Sequence, residues 1–343
     1  MARAQTGKSP VRLFLLLVSL SVMAPEPAGT AVGGPSDTVS EEPIAPIITA
    51  SPVDAEKAAL GERLFHDVGL SHGDAVSCAA CHKLAQGGDD GLARSVSADG
   101  MPLQFNAPTV FNVSLDFRLN WRGNFRTLEE QNEAALLDRT LMNTSWQELL
   151  AKLNADTEYA RRFAQLYGGS PERVSVLDAL ATYQRSLTTP NARFDRYLRG
   201  ERDAITADEA RGYELFKSYG CIACHQGVNV GGNLFQKFGI FADPFAAEQA
   251  TSEADLGRFA ITGRESDRHV FRVPSLRNVA VTAPYFHDGR TASLDEAVRI
   301  MAQNQLGREL ADSDVQAIVK FLGTLTGEYL GRPLSRDGKD SSK

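Results

Sequence analysis

Two short motifs hold all four cysteines of this 343-residue chain, and they constrain its possible folds more than any other feature. In such a Cys-x-x-Cys-His motif, the two thiols can add to the vinyl groups of a haem, and the adjacent histidine can bind the iron. The sequence therefore predicts two covalently bound c-type haems. The predicted attachment residues are Cys78, Cys81, Cys221 and Cys224, and the predicted proximal iron ligands are His82 and His225.

Two other chemistries use paired cysteines, and both fit this sequence less well. A structural zinc site needs four ligands gathered in one place, whereas the first cysteines of the two pairs, Cys78 and Cys221, are 143 residues apart. A redox-active dithiol needs no histidine directly after its second cysteine, yet both motifs have one. Haem attachment is the interpretation that gives a role to both cysteines and to the histidine of each motif.

Composition and charge narrow the class of protein further. Hydrophobic residues make up 43% of the chain and charged residues 23%, which is typical of a soluble globular protein of about two domains. The formal net charge of −7 argues against a nucleic-acid partner. No apolar run reaches the roughly 20 residues that span a bilayer, so we expect no membrane span after processing.

The N-terminus predicts a signal peptide over residues 1–31. Basic residues come first, the apolar stretch 13–24 follows, and the small residues Gly29 and Ala31 end the segment. This order is typical of secretion, with an uncleaved membrane anchor as the alternative. We therefore expect export to the periplasm, a flexible leader over residues 32–52 and a polar tail over residues 333–343.

Helix-start signals recur along the chain, whereas long alternating apolar and polar runs are absent. The sequence therefore predicts a mainly α-helical fold with little β structure. Capping boxes predict helix starts at Thr127, Ser145, Thr206 and Ser293, and the pair Ser170-Pro171 predicts another.

An internal repeat indicates two similar halves. The stretch from Pro108 to Val113 recurs from Pro274 to Val279, at an offset of 166 residues. We therefore predict two cytochrome c-like domains with one haem each, over residues 53–195 and 200–332.

Several stretches between residues 60 and 327 match a known pattern. They include Gly61-Glu-Arg-Leu-Phe65, Asn106-Ala-Pro-Thr109, Leu128-Glu-Glu-Gln131, Ala192-Arg-Phe-Asp195, Gly227-Val-Asn-Val-Gly-Gly232 and Thr282-Ala-Pro-Tyr-Phe-His-Asp-Gly289. In these stretches the chain resembles the bacterial di-haem cytochrome c peroxidase family. The related methylamine-dehydrogenase maturation enzymes have a tyrosine where this chain has Met301, fourteen residues after His287.

The resemblance implies different roles for the two haems. The second, bound by His225, would be the high-potential electron-accepting centre with Met301 as its distal ligand. The first, bound by His82, would be the peroxide-reducing centre. Trp121 matches the tryptophan that lies between the haems in the family, and Gln131 matches a glutamine near the distal pocket. The resemblance further implies a calcium ion between the domains, held by Asn106, Thr282 and Pro284.

Three departures from the family pattern bear on mechanism. The loop histidine that closes the resting first haem in many members is Ala98 here, with His72 as the nearest alternative in sequence. The catalytic glutamate of the family is Leu141, with Glu133 and Asp138 as nearby acids. The usual Trp-Asp-Gly-Arg stretch reads Trp121-Arg-Gly-Asn124, whose arginine is either an oxyanion partner or a surface cation.

These features together predict a cytochrome-c peroxidase. The expected reaction reduces hydrogen peroxide to water, with electrons from a small soluble c-type cytochrome or copper protein. The electrons would enter at the second haem and pass by Trp121 to the first. The resemblance also implies a homodimer. Two alternatives stay open, namely an oxidase that modifies a protein or small molecule through high-valent iron, and a non-enzymatic electron carrier.

Overall fold

The computed structural model describes residues 42–48, 52–245 and 252–336. The predicted signal peptide, most of the predicted leader and residues 337–343 of the predicted tail lie outside these ranges. Within them, no helix is both long enough and apolar enough to cross a membrane.

Eleven α-helices dominate the described residues, and strands are few and short. The helices are α1 Ala55–His66, α2 Cys78–Cys81, α3 Leu128–Leu137, α4 Trp146–Ala155, α5 Thr157–Tyr167, α6 Arg173–Ser186, α7 Arg193–Leu198, α8 Ala207–Ser218, α9 Phe259–Thr262, α10 Leu294–Leu306 and α11 Asp312–Gly323. Strand β1 (Phe235–Lys237) pairs antiparallel with β2 (Val270–Arg272), placing Gln236 opposite Phe271. A second antiparallel pair joins β3 (Glu328–Tyr329) to β4 (Arg332–Pro333).

Most of the predicted helix starts are found. Thr127 and Thr206 form reciprocal capping boxes at α3 and α8, and Ser145 and Ser293 accept hydrogen bonds from the first turns of α4 and α10. These caps are readable in the sequence because they depend on residues only three apart. The prediction at Ser170-Pro171 is wrong by two residues, since α6 begins at Arg173 with Glu172 as its cap.

Two matched helix crossings build the two halves of the fold. Helix α1 packs on α6 at Gly61, where a Cβ atom would overlap the carbonyl oxygen of Ala179. Helix α8 packs on α11 at Gly212, where a Cβ atom would overlap the carbonyl oxygen of Ala317. Each crossing therefore needs glycine, because the backbones approach too closely for any side chain. The first core surrounds the crossing of α1 and α6 and includes Leu60, Leu64, Phe65, Phe163 and Leu180. The second core surrounds the crossing of α8 and α11 and includes Phe194, Tyr213, Phe216, Val230 and Phe321.

The internal repeat seen in the sequence is confirmed at two asparagines. Asn112 and Asn278 are 166 residues apart and adopt the same left-handed conformation, with φ of 59° and 63°. Their side-chain amides both donate to the Thr189 hydroxyl oxygen, at 2.7 and 3.0 Å. The two repeats are thus joined at one buried hydroxyl. The described residues belong to one compact unit, and the predicted domain limits stay a prediction.

Two described segments that lie outside the repeats each pack on the half that is farther away in the sequence. Ile44 is 1% exposed and belongs to the second core, although it precedes the first half in sequence. Leu334 is 7% exposed and belongs to the first core, although it follows the second half. The prediction of a flexible leader over residues 32–52 is therefore wrong for residues 42–48, because Ile44 and Ile47 bury their side chains.

Candidate functional site

The first Cys-x-x-Cys-His motif presents a histidine that is prepared to bind a metal. Cys78–Cys81 forms α2, and the backbone N–H of His82 donates to the carbonyl oxygen of Cys78 at 3.0 Å. The Nδ1 atom of His82 lies 3.2 Å from the Gly88 carbonyl oxygen. Because a carbonyl only accepts, Nδ1 carries the proton and Nε2 keeps its lone pair. Burial lowers the pKa of His82, which favours the neutral, ligating form.

The second motif repeats this arrangement. The backbone N–H of His225 donates to the Cys221 carbonyl oxygen at 3.0 Å, and its Nδ1 lies 3.3 Å from the Val230 carbonyl oxygen. Burial lowers the pKa of His225 to about 4, so the imidazole is neutral at neutral pH. The backbone of Pro274 also hydrogen-bonds to His225, as that of Pro108 does to His82. The two prolines occupy matching positions of the internal repeat.

The structure disfavours both alternative uses of the cysteines. All four thiols are free of disulfides. Burial raises the pKa of Cys78 to about 12 and that of Cys221 to about 11, whereas redox-active cysteines have lowered pKa values. Among the described residues, the one group of three or more His, Cys, Asp or Glu side chains close enough to share a metal ion contains no cysteine. The residues therefore fit two haem sites better than zinc or dithiol sites.

Gln131 has a buried side-chain oxygen that no group of the protein hydrogen-bonds. It lies on α3, and its side-chain oxygen Oε1 is buried without a hydrogen-bond partner within the protein. A buried amide oxygen that no protein group satisfies is costly unless another molecule satisfies it. The position is consistent with the predicted role beside the first haem, which stays a prediction.

Trp121 is buried at the centre of an aromatic cluster. Its indole Nε1 donates to the Asn106 carbonyl oxygen at 2.9 Å, and its ring meets that of His287 edge to face at 6.4 Å. We call this the Trp121 cluster, defined by its buried members Trp121, Phe238, Phe245 and Phe271 and by Phe105, Phe286, Ile300 and Met301, which pack against them. The structure thus brings Trp121 together with Asn106 and with the region of Met301. The role of Met301 as an iron ligand stays a prediction.

The residues of the predicted calcium site have other contacts. The Asn106 carbonyl oxygen accepts from Trp121, and the Asn106 side-chain amide donates to the Leu92 carbonyl oxygen at 2.9 Å. The Thr282 hydroxyl donates to the Val279 carbonyl oxygen at 3.4 Å, and Pro284 follows a cis peptide bond. Each carbonyl oxygen has a second lone pair, so these contacts leave a calcium ion as a prediction.

Comparison with known proteins identifies the family. A family model described as di-haem cytochrome c peroxidase matches residues 55–203. The chain is 38% identical over 318 residues to the cytochrome c551 peroxidase of Nitrosomonas europaea, covering 92% of both proteins. The chain belongs to the di-haem cytochrome c peroxidase family.

Two further comparisons extend this result. The chain is 41% identical over 298 residues to the cytochrome c peroxidase Ccp of Escherichia coli, covering 86% of this chain and 64% of that protein. The crystal structure of a MauG-like protein associated with microbial copper homeostasis superimposes with a TM-score of 0.71 at 28% identity, covering 86% of this chain and 96% of that one. The predicted fold class and the assignment as an enzyme of this family are confirmed, and membership implies two haems.

This chain lacks the loop histidine that many members of the family have. Ala98, which replaces the loop histidine of many members, is exposed in a turn closed by Ser97. The alternative histidine, His72, has a side chain that is 64% exposed, and its Nδ1 lies 2.9 Å from a Glu148 carboxylate oxygen. Ala98 has no side-chain ligand atom, and the His72 ring is exposed and paired with Glu148.

The two acids near Leu141 in the sequence, Glu133 and Asp138, both have hydrogen-bond partners within the protein. Glu133 accepts hydrogen bonds from Arg173 and Trp146, and the Arg173 bond holds the pKa of Glu133 below its usual range. A carboxylate held ionised in this way is a poor proton donor. Asp138 is exposed and accepts from Thr140 at 2.7 Å.

Sequence reasoning named two groups near Trp121 without predicting that they are buried. Arg122 is 8% exposed, so its interpretation as a surface cation is wrong. His287 is 2% exposed, and its Nε2 lies 2.7 Å from a carboxylate oxygen of Asp255. Asp255, His287 and Asp288 form the one group of side chains among the described residues that could bind a metal cation. The Arg290 guanidinium already lies against both of these acids. The sequence His287-Asp-Gly-Arg290 shows that charged side chains are close together here, but it does not show that His287 is buried.

Proposed function

We propose that this chain reduces one hydrogen peroxide, with two electrons and two protons, to two water molecules. The electrons would come from a small soluble c-type cytochrome or cupredoxin. They would be accepted in the half that contains His225 and Met301, and would pass by way of Trp121 to the half that contains His82. The observation that supports this proposal best is the matched pair of partly buried, neutral histidines, each directly after a cysteine pair, in a chain of this family.

The residues of each half would hold one haem. Cys78 and Cys81 would form thioethers with the first haem, and Cys221 and Cys224 with the second. A haem supplies an iron that exchanges single electrons and can accept an oxygen ligand. The Gly88 and Val230 carbonyl oxygens hold the proton of each histidine on Nδ1, which would leave each Nε2 lone pair available to bind the haem iron.

The side chains around the first site have separate tasks. Gln131 can bind or orient peroxide, but an amide cannot release a proton at neutral pH. Since neither Glu133 nor Asp138 is a suitable acid, the proposal requires protons to arrive through water. With Ala98 in the loop, no histidine there closes this site. We therefore expect peroxide to react with the fully oxidised protein.

The lack of a positioned acid favours one alternative function. If water does not take the place of that acid in O–O bond cleavage, peroxide turnover slows, and the site then suits an oxidase that acts on a protein or small molecule. This second candidate differs from the first in a measurable way, because it predicts slow peroxide reduction.

The remaining expectations belong to the same proposal. Export to the periplasm would bring the chain to the compartment where c-type haems are attached. A calcium ion at Asn106, Thr282 and Pro284 would join the Trp121 region to the second half, and the chain would act as a homodimer.

The decisive experiment measures peroxide-dependent oxidation of a reduced small cytochrome c. It compares the fully oxidised protein with the half-reduced protein, after two covalent haems per chain have been counted from the spectrum in alkaline pyridine. We expect rapid turnover in both states. Rapid turnover only after half-reduction would show that another group closes the first site. Negligible turnover in both states would contradict the peroxidase assignment and support the oxidase or carrier.

A further inference from the structure

Arg122 carries a positive charge in an unusual place. The residue is 8% exposed, and its guanidinium carbon lies 4.9 Å from the centre of the Phe105 ring. Its Nη2 atom donates to the Glu253 carbonyl oxygen at 2.5 Å, whereas its Nε atom is buried without any partner in the protein. A guanidinium stays protonated even when burial lowers its pKa. The Trp121 cluster is therefore flanked by a permanent cation.

The charges around Arg122 do not neutralise it. The nearest carboxylate oxygen, Glu253 Oε1, is 3.7 Å away on a side chain that is 72% exposed and thus screened by water. A second cation, Arg258, donates to the Arg122 carbonyl oxygen at 2.9 Å and lies over the Phe235 ring at 3.8 Å. Arg258 also interacts with the Asp267 carboxylate, whereas Arg122 has, among the described residues, only the exposed Glu253, so the charge of Arg122 stays largely uncompensated.

The cluster connects this charge with the second half of the protein. Phe105, on which Arg122 stacks, packs in the Trp121 cluster together with Met301. The contact of Phe105 with Arg122 and its packing in the Trp121 cluster lie in a region of low dielectric. A charge acts over longer distances there than in water. A positive charge stabilises the reduced form of a nearby redox centre, because reduction adds an electron there.

We propose that Arg122 raises the reduction potential of the centre bound by His225 and Met301, and that it is a positioning residue for electron entry. The inference rests on the proposed function, since it requires a haem in the second half. It assigns a task to the residue at which this chain departs from the usual Trp-Asp-Gly-Arg stretch. An aspartate at this place would carry the opposite charge.

The test is a redox titration of the haem-loaded protein, with each haem followed by its own optical band. In Arg122→Met, a neutral side chain of similar length, we expect the equilibrium constant for reduction of the second haem to fall about tenfold, or about 59 mV for one electron. Arg122→Lys keeps the charge and should stay within about threefold of the wild type. The control Arg126→Met removes an exposed arginine and should leave both potentials unchanged.

A fourth variant reverses the sign of the effect. Glu253→Gln removes the carboxylate that lies 3.7 Å from Arg122 but keeps the backbone carbonyl group that Arg122 binds, so the potential should rise slightly. If Arg122→Met and Arg122→Lys lower the potential equally, packing and not charge is responsible, and the inference is wrong. An unchanged potential in Arg122→Met also refutes it. If Arg122→Met does not fold, Arg122→Lys and Glu253→Gln still decide between charge and packing.

The proposed function fails in a different way. A chain that binds two haems and turns over peroxide, but whose second potential ignores Arg122, refutes only the inference. A chain that binds no haem in its second half refutes both.

Discussion

The ion pair between Arg277 and Asp195 allows a quantitative test of the fold. The two side chains are 1% and 0% exposed, and their closest atoms are 2.6 Å apart. Arg277 also donates to the carbonyl oxygens of Val228 and Ala45, each at 2.9 Å. It therefore joins the loop after His225 to the segment at residues 42–48.

Replacing Arg277 with methionine leaves the Asp195 carboxylate buried without its cation. Removing one partner of a buried pair typically costs about 3–5 kcal/mol, because the remaining charge is neither hydrated nor neutralised. We expect a loss of at least about 3 kcal/mol in the free energy of unfolding, measured by urea titration of the haem-loaded protein at pH 7. The control Arg211→Met breaks a pair with Asp314 in which the arginine is 54% and the aspartate 16% exposed, and should cost less than about 1 kcal/mol.

The pH dependence of this loss has a defined sign. Burial raises the pKa of Asp195, and the charge of Arg277 opposes that rise. Without Arg277, protonation is the remaining way to neutralise the buried carboxyl group. The destabilisation should therefore be largest at neutral pH and shrink as the pH falls toward 5, and the further change Asp195→Asn should recover part of it at pH 7. A loss equal to that of Arg211→Met, or one that does not vary with pH, would refute this reasoning.

Three further predictions follow from the packing. Gly212→Ala should cost at least about 2 kcal/mol in urea unfolding, because its Cβ would overlap the facing helix, whereas Gly323→Ala has open space and should change stability by less than about 1 kcal/mol. Ile44→Ala should cost about 2–5 kcal/mol and make residues 42–48 sensitive to protease, and an unchanged protease pattern would contradict their place in the core. His72→Ala should leave the optical spectrum of the oxidised first haem unchanged, since its side chain is 64% exposed, and a spectral change would identify it as a ligand.

The parts of the protein that sequence reasoning captured depend on residues close together along the chain. Each Cys-x-x-Cys-His motif spans five residues, and each capping box spans four, so their chemistry is visible without a fold. The repeat was visible because matching positions keep the same local conformation, as Asn112 and Asn278 do. Local rules gave a less accurate result at Ser170-Pro171, where the cap that forms is two residues later.

The sequence by itself determined the two predicted haem motifs, the mainly helical class and the family pattern, because each is written in local spacing. Only the tertiary structure decided which charged and polar groups lose water. Arg122 and His72 both carry or can carry a positive charge, yet one is buried against Phe105 and the other lies exposed beside Glu148. Ile44 enters a core formed by residues from Phe194 onward. Burial depends on contacts between distant parts of the chain, and no local pattern records it.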